Sequence, residues 1–372
     1  MLVVDTLSSG NDFGVELPTA LEPLVDLTVF TIKGTRLTST DCSHIIEAFP
    51  EYWGKRSKAL KLLDQLRATA LLAMELIKHR KGVVHVQFFR APAIEFPLYF
   101  LLRPFLARLV YTAHNALPHE QKFWQPFTAR LWYLIIDHVH VLSHHTAAVL
   151  TARFGVDASR ITHAPHGSYD RFLRDHPPAA VQTTRTRLKL KPEEKMVLYF
   201  GLIRPYKGVD RLIDAASFLP NGVRVVIAGG CGEPLLGQLR ERIATSSAKD
   251  KILFLHGFVN NQDMSDYMEA ADVVVFPYLH IYQSGALLQA MTFGKTVVVS
   301  DLAGFREYVQ HDATGWVSNT SDPRAFAADI ELLLNDPARA ARIGAGAKDA
   351  CAHEFSWDRI ARQITSKVYE VT

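Results

Sequence analysis

The chain has 372 residues, and at roughly 150 residues per domain that length predicts two domains. Apolar residues make up 48% and charged residues 21%, which excludes a disordered or low-complexity chain. Lys+Arg number 41 against 38 Asp+Glu, and a net charge of only +3 excludes a protein that grips nucleic acid through a dense cationic surface.

The three cysteines, Cys42, Cys231 and Cys351, lie far apart and form no C-x-x-C pair. Neither a disulfide framework nor a thiolate zinc site is expected, and the default setting is a reducing, cytoplasmic one. The apolar start is interrupted by Asp5 and has no basic stretch before it, so no secretion signal is read there. The greasiest run, 94–113, contains Glu95, Pro97, Arg103, Pro104 and Arg108 and makes a poor spanning helix. Charge is uneven: residues 1–172 hold 18 Lys+Arg, 15 Asp+Glu and 11 of the 16 histidines, while the remainder balances at 23 and 23.

In chain order, β-branched runs predict strands at 2–5, 27–31, 83–87, 109–113, 139–142 and 161–164. A second set follows at 197–201, 223–228, 252–256, 273–277 and 296–300. Helical spacing recurs between them at 58–79, 209–218, 264–270 and 285–293. Alternation of this kind predicts parallel sheets covered by helices, and the chain shows it twice. Residues 173–194, with Pro177, Pro178, Pro192 and a polar run, read as a linker. The predicted organisation is a Rossmann-like domain over 1–172, the linker 173–194, and a second Rossmann-like domain over 195–354. Phe355, Ile360, Ile364 and Val368 predict one closing helix over 354–371, capped by Ser356.

In open parallel α/β sheets ligands bind beyond the carboxyl ends of the strands, so unusual residues just after strands are the candidates. Arg204 and Lys207 follow the first strand of the second set, in Gly201-Leu202-Ile203-Arg204-Pro205-Tyr206-Lys207-Gly208. Two cations beside a helix start suit a diphosphate: lysine as a point charge, arginine as a fork. In the stretch Gln283-Ser284-Gly285, a polar loop opens a helix whose unpaired N–H groups can hold phosphate oxygens. Gln289, one turn on, can bond a ribose or sugar hydroxyl, although Ser284 as a plain N-cap is the bland alternative. Glu307 sits in the next such loop, with a helix-surface charge as its alternative. In the front half, His114 ends a strand and is a candidate for substrate contact or proton transfer. His166 lies in a similar loop, and Gly10 in the loop after the first strand.

The run Gly229-Gly230-Cys231-Gly232 lacks dinucleotide-loop spacing. His138, His140, His144 and His145 lack the companions of a metal motif, and no metal ligands are assigned. Tyr52-Trp53 followed by Lys55, Arg56, Lys58 and Lys61 heads an amphipathic helix, which suits either an anionic membrane surface or ordinary packing on its own sheet.

Together, HNALPHE from His114, APHGSYD from Ala164, YFGLIRPYKGVDRLIDA from Tyr199, VVVFPY…QSGALLQAM from Val273 and the closing FSW resemble retaining glycosyltransferases of family 4, with the GT-B fold. The resemblance covers nearly the whole chain. It implies two Rossmann-like domains facing across a cleft, with the last helix crossing back to the first domain. It further implies a nucleoside-diphosphate-sugar donor, a glycosyl acceptor and no obligatory metal or other cofactor. Lys207 matches the family's diphosphate lysine, and His114 its histidine near the transferred sugar. Glu307 matches a glutamate after the next strand. Arg204 is displaced two positions from the family's arginine, where this chain has Leu202. The family's E-x7-E pair falls on Ile281 and Gln289. That change leaves two readings: a donor grip moved to Ser284 and Gly285, or weak or lost activity.

The catalytic set implied is His114, Lys207 and Arg204. The donor set is Arg204, Lys207, Gln283, Ser284, Gly285, Gln289, Glu307, Gly10 and His166. A nucleotide-sugar 2-epimerase of the same architecture and a silent nucleotide-sugar-binding paralogue stand as alternatives. The acceptor stays open between a lipid-linked oligosaccharide, with the first domain touching the inner face of a membrane, and a soluble small molecule.

Overall fold

A computed structural model describes residues 1–6, 13–50, 57–89, 92–115 and 125–369. The chain divides into two compact units, Met1–Gly167 with Ser356–Thr372, and Ser168–Phe355.

The first unit is built on seven parallel strands: β1 (Leu2–Val4), β2 (Thr28–Ile32), β3 (Ile45–Phe49), β4 (Val83–Val86), β5 (Arg108–Ala113), β6 (His138–Val141) and β7 (Ile161–His163). Their order is β3-β2-β1-β4-β5-β6-β7, so the winding reverses between β1 and β4. The central strands read as near-continuous apolar runs because helices cover both faces of a parallel sheet. Leu2, Val3, Val4, Val84 and Val86 are all buried.

The closing helix belongs to this unit. Trp357, Ile360, Ile364 and Val368 join Phe13, Leu17 and Leu21 in one core, and the Trp357 ring meets Phe13 edge-on at 5.2 Å. The helix runs Trp357–Ile364 and finishes in a wider π turn, Thr365–Tyr369. It therefore starts three residues later than predicted, because the preceding helix, Pro337–His353, ends first and a break separates them. Ser356 takes the N-cap position with extended backbone but makes no side-chain cap bond.

The second unit carries six parallel strands: β8 (Lys195–Phe200), β9 (Val223–Gly229), β10 (Ile252–His256), β11 (Val273–Phe276), β12 (Thr296–Ser300) and β13 (Trp316–Ser318). Their order, β10-β9-β8-β11-β12-β13, reverses between β8 and β11. This is the order of a dinucleotide-binding fold, with its switch point at the β8/β11 crevice.

Two strands escaped the sequence reading. In β3 only Ala48 and Phe49 are buried, and β13 is three residues long. Both are edge strands, whose apolar signal is weak. Residues 173–194 differ from the linker expected there. They carry the end of one short helix, Asp170–Asp175, and the whole of another, Val181–Arg187, and lie within the second unit. Arg185 explains the attachment: it is buried, with Nη1 donating to the Ala270 carbonyl at 3.1 Å. Arg187 reaches Asp263 and Asp266 at 2.9 and 3.1 Å. Leu188 and Leu190 join the core of the unit beside these polar contacts, but two leucines in a polar, proline-containing stretch give hydropathy little to read.

Candidate active site

The β8 exit places the first candidates. Buried Met196–Tyr199 end in Gly201, and a short turn, Pro205–Lys207, leads to Gly208 and the helix Val209–Ala216. Gly208 has φ +63°, and a Cβ there would lie 2.0 Å from the Pro277 carbonyl oxygen. Only glycine lets the β8 turn press this closely on the β11 exit. The Leu279 N–H donates to the Tyr206 carbonyl at 2.7 Å and closes the same junction. The switch point is thus one packed unit, with Lys207 held at it.

Lys207 is half-buried, with Nζ 5.2 Å from the centre of the buried Tyr278 ring. Burial pulls its pKa below the ordinary lysine value; the nearby Arg204 charge lowers it further and Tyr206 opposes the shift. A lysine held where its charge is disfavoured has an unmet demand for an anion. Arg204 itself stays exposed. It borders a crevice of about 340 Å³ shared with Asp210 and Arg242.

Across the switch point, Ser284 is buried and caps the helix Gly285–Thr292, its Oγ accepting from the Leu287 N–H at 3.2 Å. The capping role is therefore real. Gly285 does admit a close approach, but from the protein: a Cβ there would meet the Tyr169 hydroxyl at 2.3 Å. Gln283 Oε1 is buried with no hydrogen-bond partner among the described residues, on a residue two positions ahead of the helix. Gln289 is buried on the same helix, and Ile281 is buried in the core of the unit. Glu307 follows the short helix Ala303–Arg306 and is half-buried. That helix is anchored by Phe305, whose ring lies 5.2 Å from Tyr278.

Polar ground continues beyond this set in a crevice of about 570 Å³ at the carboxyl ends of β11, β12 and β13. Arg211 Nη1 donates to Thr320 Oγ1 at 3.2 Å, and Thr320 shares a 2.7 Å hydrogen bond with Ser300. Arg211 and Thr320 were not singled out from sequence. Arg211 sits within a helix, and Thr320 follows an edge strand that was itself missed.

In the first unit His114 follows β5. Its ring stacks on Phe88 at 4.1 Å and meets Phe13 edge-on at 4.7 Å. Burial holds its pKa well below the usual histidine value, and His166 and His140 add to the effect. The imidazole is therefore neutral at neutral pH. Its Nε2 is buried without a hydrogen-bond partner among the described residues. A neutral ring offers one donor and one acceptor, which suits a hydroxyl better than proton donation. His166 is buried, with Nδ1 2.7 Å from the Gly167 carbonyl, so that nitrogen carries the proton. Gly10 and residues 116–120 of the His114 motif lie outside the described residues, as do Tyr52, Trp53, Lys55 and Arg56.

The histidine tract is structural where it enters the sheet. His140 lies 3.0 Å from Thr112 Oγ1 and 2.9 Å from the Ala164 carbonyl. Thr112 also meets His85, which in turn meets the Tyr369 hydroxyl at 2.6 Å. The ladder runs from β6 through β5 and β4 to the closing segment.

Comparison with known proteins bears on the family and the fold. The family described as glycosyl transferases group 1 matches residues 181–350, and Glycosyltransferase Family 4 matches residues 19–168. A D-inositol 3-phosphate glycosyltransferase from Xylanimonas cellulosilytica is 33% identical over 228 residues, 60% of this chain and 54% of that protein. A GDP-mannose:glycolipid 4-beta-D-mannosyltransferase from Xanthomonas campestris pv. campestris is 26% identical over 82% of this chain and 74% of that protein. With the first of these, as with other curated relatives, the match spans only about half of the relative's length. Among solved structures, Anabaena HepE in complex with UDP superposes with a TM-score of 0.75 at 19% identity, covering 99% of this chain and 98% of that one. At that identity the likeness concerns the fold. With matches over both halves and the fold shared throughout, the chain belongs to the family 4, group 1 glycosyltransferases and has the GT-B fold.

Proposed function

We propose that the protein transfers a sugar from a nucleoside-diphosphate donor to an acceptor hydroxyl, with retention of anomeric configuration. The observation that carries the reading is Lys207, half-buried at the β8/β11 switch point with its pKa depressed by burial. It is a cation placed where a departing diphosphate would offset the cost of burying its charge. The acceptor oxygen bonds to the anomeric carbon on the face from which the diphosphate leaves. The bond from the anomeric carbon to the diphosphate oxygen breaks, and the acceptor proton passes to that departing oxygen. Lys207 and Arg204, with the N–H groups of the Gly285 helix, stabilise the negative charge that develops. The neutral His114 bonds a hydroxyl of the transferred sugar, and Gln283 and Gln289 bond the donor. These cations belong to the chain, so the reaction needs no obligatory metal.

The work of the protein on this reading is glycoconjugate or polysaccharide assembly at the inner face of the membrane. The glycolipid acceptor in the name of the Xanthomonas relative supports a lipid-linked acceptor here. Among the described residues no helix is long and apolar enough to cross a membrane.

The test incubates the protein with UDP- and GDP-sugars and a panel of glycolipid and soluble acceptors, with and without EDTA. Diphosphate release is measured, and proton NMR gives the anomer formed. An inverted product, or a rate abolished by EDTA and restored by magnesium, would overturn the corresponding part. Buried Ile281 and Gln289, in place of a carboxylate pair, favour a second reading: a silent nucleotide-sugar binder. Calorimetry that detects donor binding, without diphosphate release on any acceptor, selects that reading. A changed sugar with donor alone selects the epimerase.

A further inference from the structure

Beyond the strand-end loops, the first unit presents an unusual face. Three of its helices, Lys58–Lys78, Pro92–Leu102 and Gln125–Ile135, pack side by side. The first should be amphipathic in the ordinary sense, with Ala68, Leu72 and Leu76 buried inward. Its outward side is apolar as well. Leu66 is 49% exposed and Met74 51%. The neighbouring elements continue the surface with Leu101 at 69%, Phe105 at 65% and Leu134 at 72%. Large apolar side chains gathered on a surface in this way, among scattered cations, mark a docking site.

The charge identifies the occupant. Residues 57–135 hold 11 Lys+Arg and 4 Asp+Glu, so this stretch carries +7 while the rest of the chain carries −4. Two of the four acids, Glu75 and Glu95, are buried. Lys61, Arg67, Arg80, Lys81 and Arg130 are exposed on or beside the same helices. Leu76, Ile77, Leu102, Phe105 and Leu106 line an apolar crevice of about 300 Å³ between two of them, with Arg80 as the charged wall residue among those described. A second copy of the chain would bring +7 against +7. An anionic bilayer supplies both missing partners: acyl chains for the leucines and phenylalanines, phosphate oxygens for the cations.

We propose that this three-helix face is the site by which the protein sits on an anionic membrane surface. It deepens the reading of a lipid-linked acceptor by naming the surface, but does not depend on transfer chemistry. The signal read from sequence covered only the head of the first helix; the second and third helices enter through the fold.

The test floats the full chain with vesicles of phosphatidylcholine alone and with 30% phosphatidylglycerol (roughly the anionic content that gives a tens-of-millivolt surface potential). Wild type should partition at least about tenfold more onto the anionic vesicles and be released by high salt, as screening requires. The variant Leu66→Ser/Phe105→Ser/Leu134→Ser should lose most of that partitioning, as should Arg67→Glu/Arg80→Glu. All three sites of the first variant are exposed, so melting temperature and UDP binding should stay at wild-type values. Those readouts separate a failure of docking from a failure of the transferase reading. Equal partitioning on neutral vesicles, unchanged binding by both variants, or a dimer by light scattering that the triple variant dissociates would overturn the proposal.

Discussion

Replacing Lys207 with methionine separates a functional lysine from a structural one, because the two roles predict opposite effects on stability. The side chain is half-buried, and its pKa is pushed down chiefly by burial. The folded protein therefore disfavours its charge, and removing the ammonium relieves that penalty. Against this stands the lost attraction to the Tyr278 ring at 5.2 Å, worth about 0.5–1 kcal/mol. The two effects oppose, so the net change in stability should stay within about 1 kcal/mol. For a unit of this size that is roughly 2–4 °C in melting temperature. Transfer should respond very differently. Losing one preorganised donor to a developing oxyanion costs about 2.7–4 kcal/mol, a 10²–10³-fold fall in kcat. The assay is diphosphate release at saturating donor, with melting followed by calorimetry. Lys207→Arg keeps the charge but spreads it over a planar fork, and should restore only part of the rate. A Lys207→Met enzyme turning over within threefold of wild type would refute the reasoning, as would one that melts more than about 10 °C lower.

The same lysine gives UDP binding a pH dependence. A bound diphosphate raises a pKa that is depressed in the free protein, so affinity should be full below the free-protein value and weaken as pH climbs through it; isothermal titration between pH 7 and 10 reads this, and the trend should vanish in Lys207→Met. Gly208→Ala places a Cβ 2.0 Å from the Pro277 carbonyl oxygen at φ +63°, and should cost more than about 1 kcal/mol in urea unfolding. Near-wild-type stability there would mean that the β8 and β11 exits are not locked together. Acid should weaken the first unit: burial brings His140 down to about 4 from an ordinary value near 6.5. The unfolded chain then takes up the proton first. The stabilisation is complete above pH 6.5 and is lost as pH falls toward 4, amounting to roughly 3 kcal/mol at about 1.4 kcal/mol per pH unit. A His140→Gln variant should show a flatter stability profile over that window, measured by urea midpoints at pH 7 and 4.5.

Much of this architecture was legible because parallel sheets advertise themselves. A strand covered on both faces must be apolar along its length, so β1, β4, β5, β8, β9, β11 and β12 stood out as apolar, largely β-branched runs. Residues just after those runs were candidates by topology alone, which is why Lys207, Ser284 and His114 could be named without coordinates. The edge strands β3 and β13, and the helices within 173–194, gave no such signal. The strands are held by backbone ladders to a single neighbour, and the helical segment in part by long-range polar contacts such as Arg185 with the Ala270 carbonyl.

The linear order of residues was enough to indicate two wound sheets, the strand-end loops that hold the candidate residues and the family resemblance. Periodicity and strand-end position are local properties, so a sequence displays them. Tertiary structure alone decided the surroundings of each candidate. It made Lys207 a desolvated cation over Tyr278, and filled the space beside Gly285 with Tyr169. It spent His140 on a hydrogen-bonded ladder and gathered leucines and phenylalanines from three helices into one outward face. Burial and apposition are set by neighbours distant along the chain, and those neighbours exist only once it has folded.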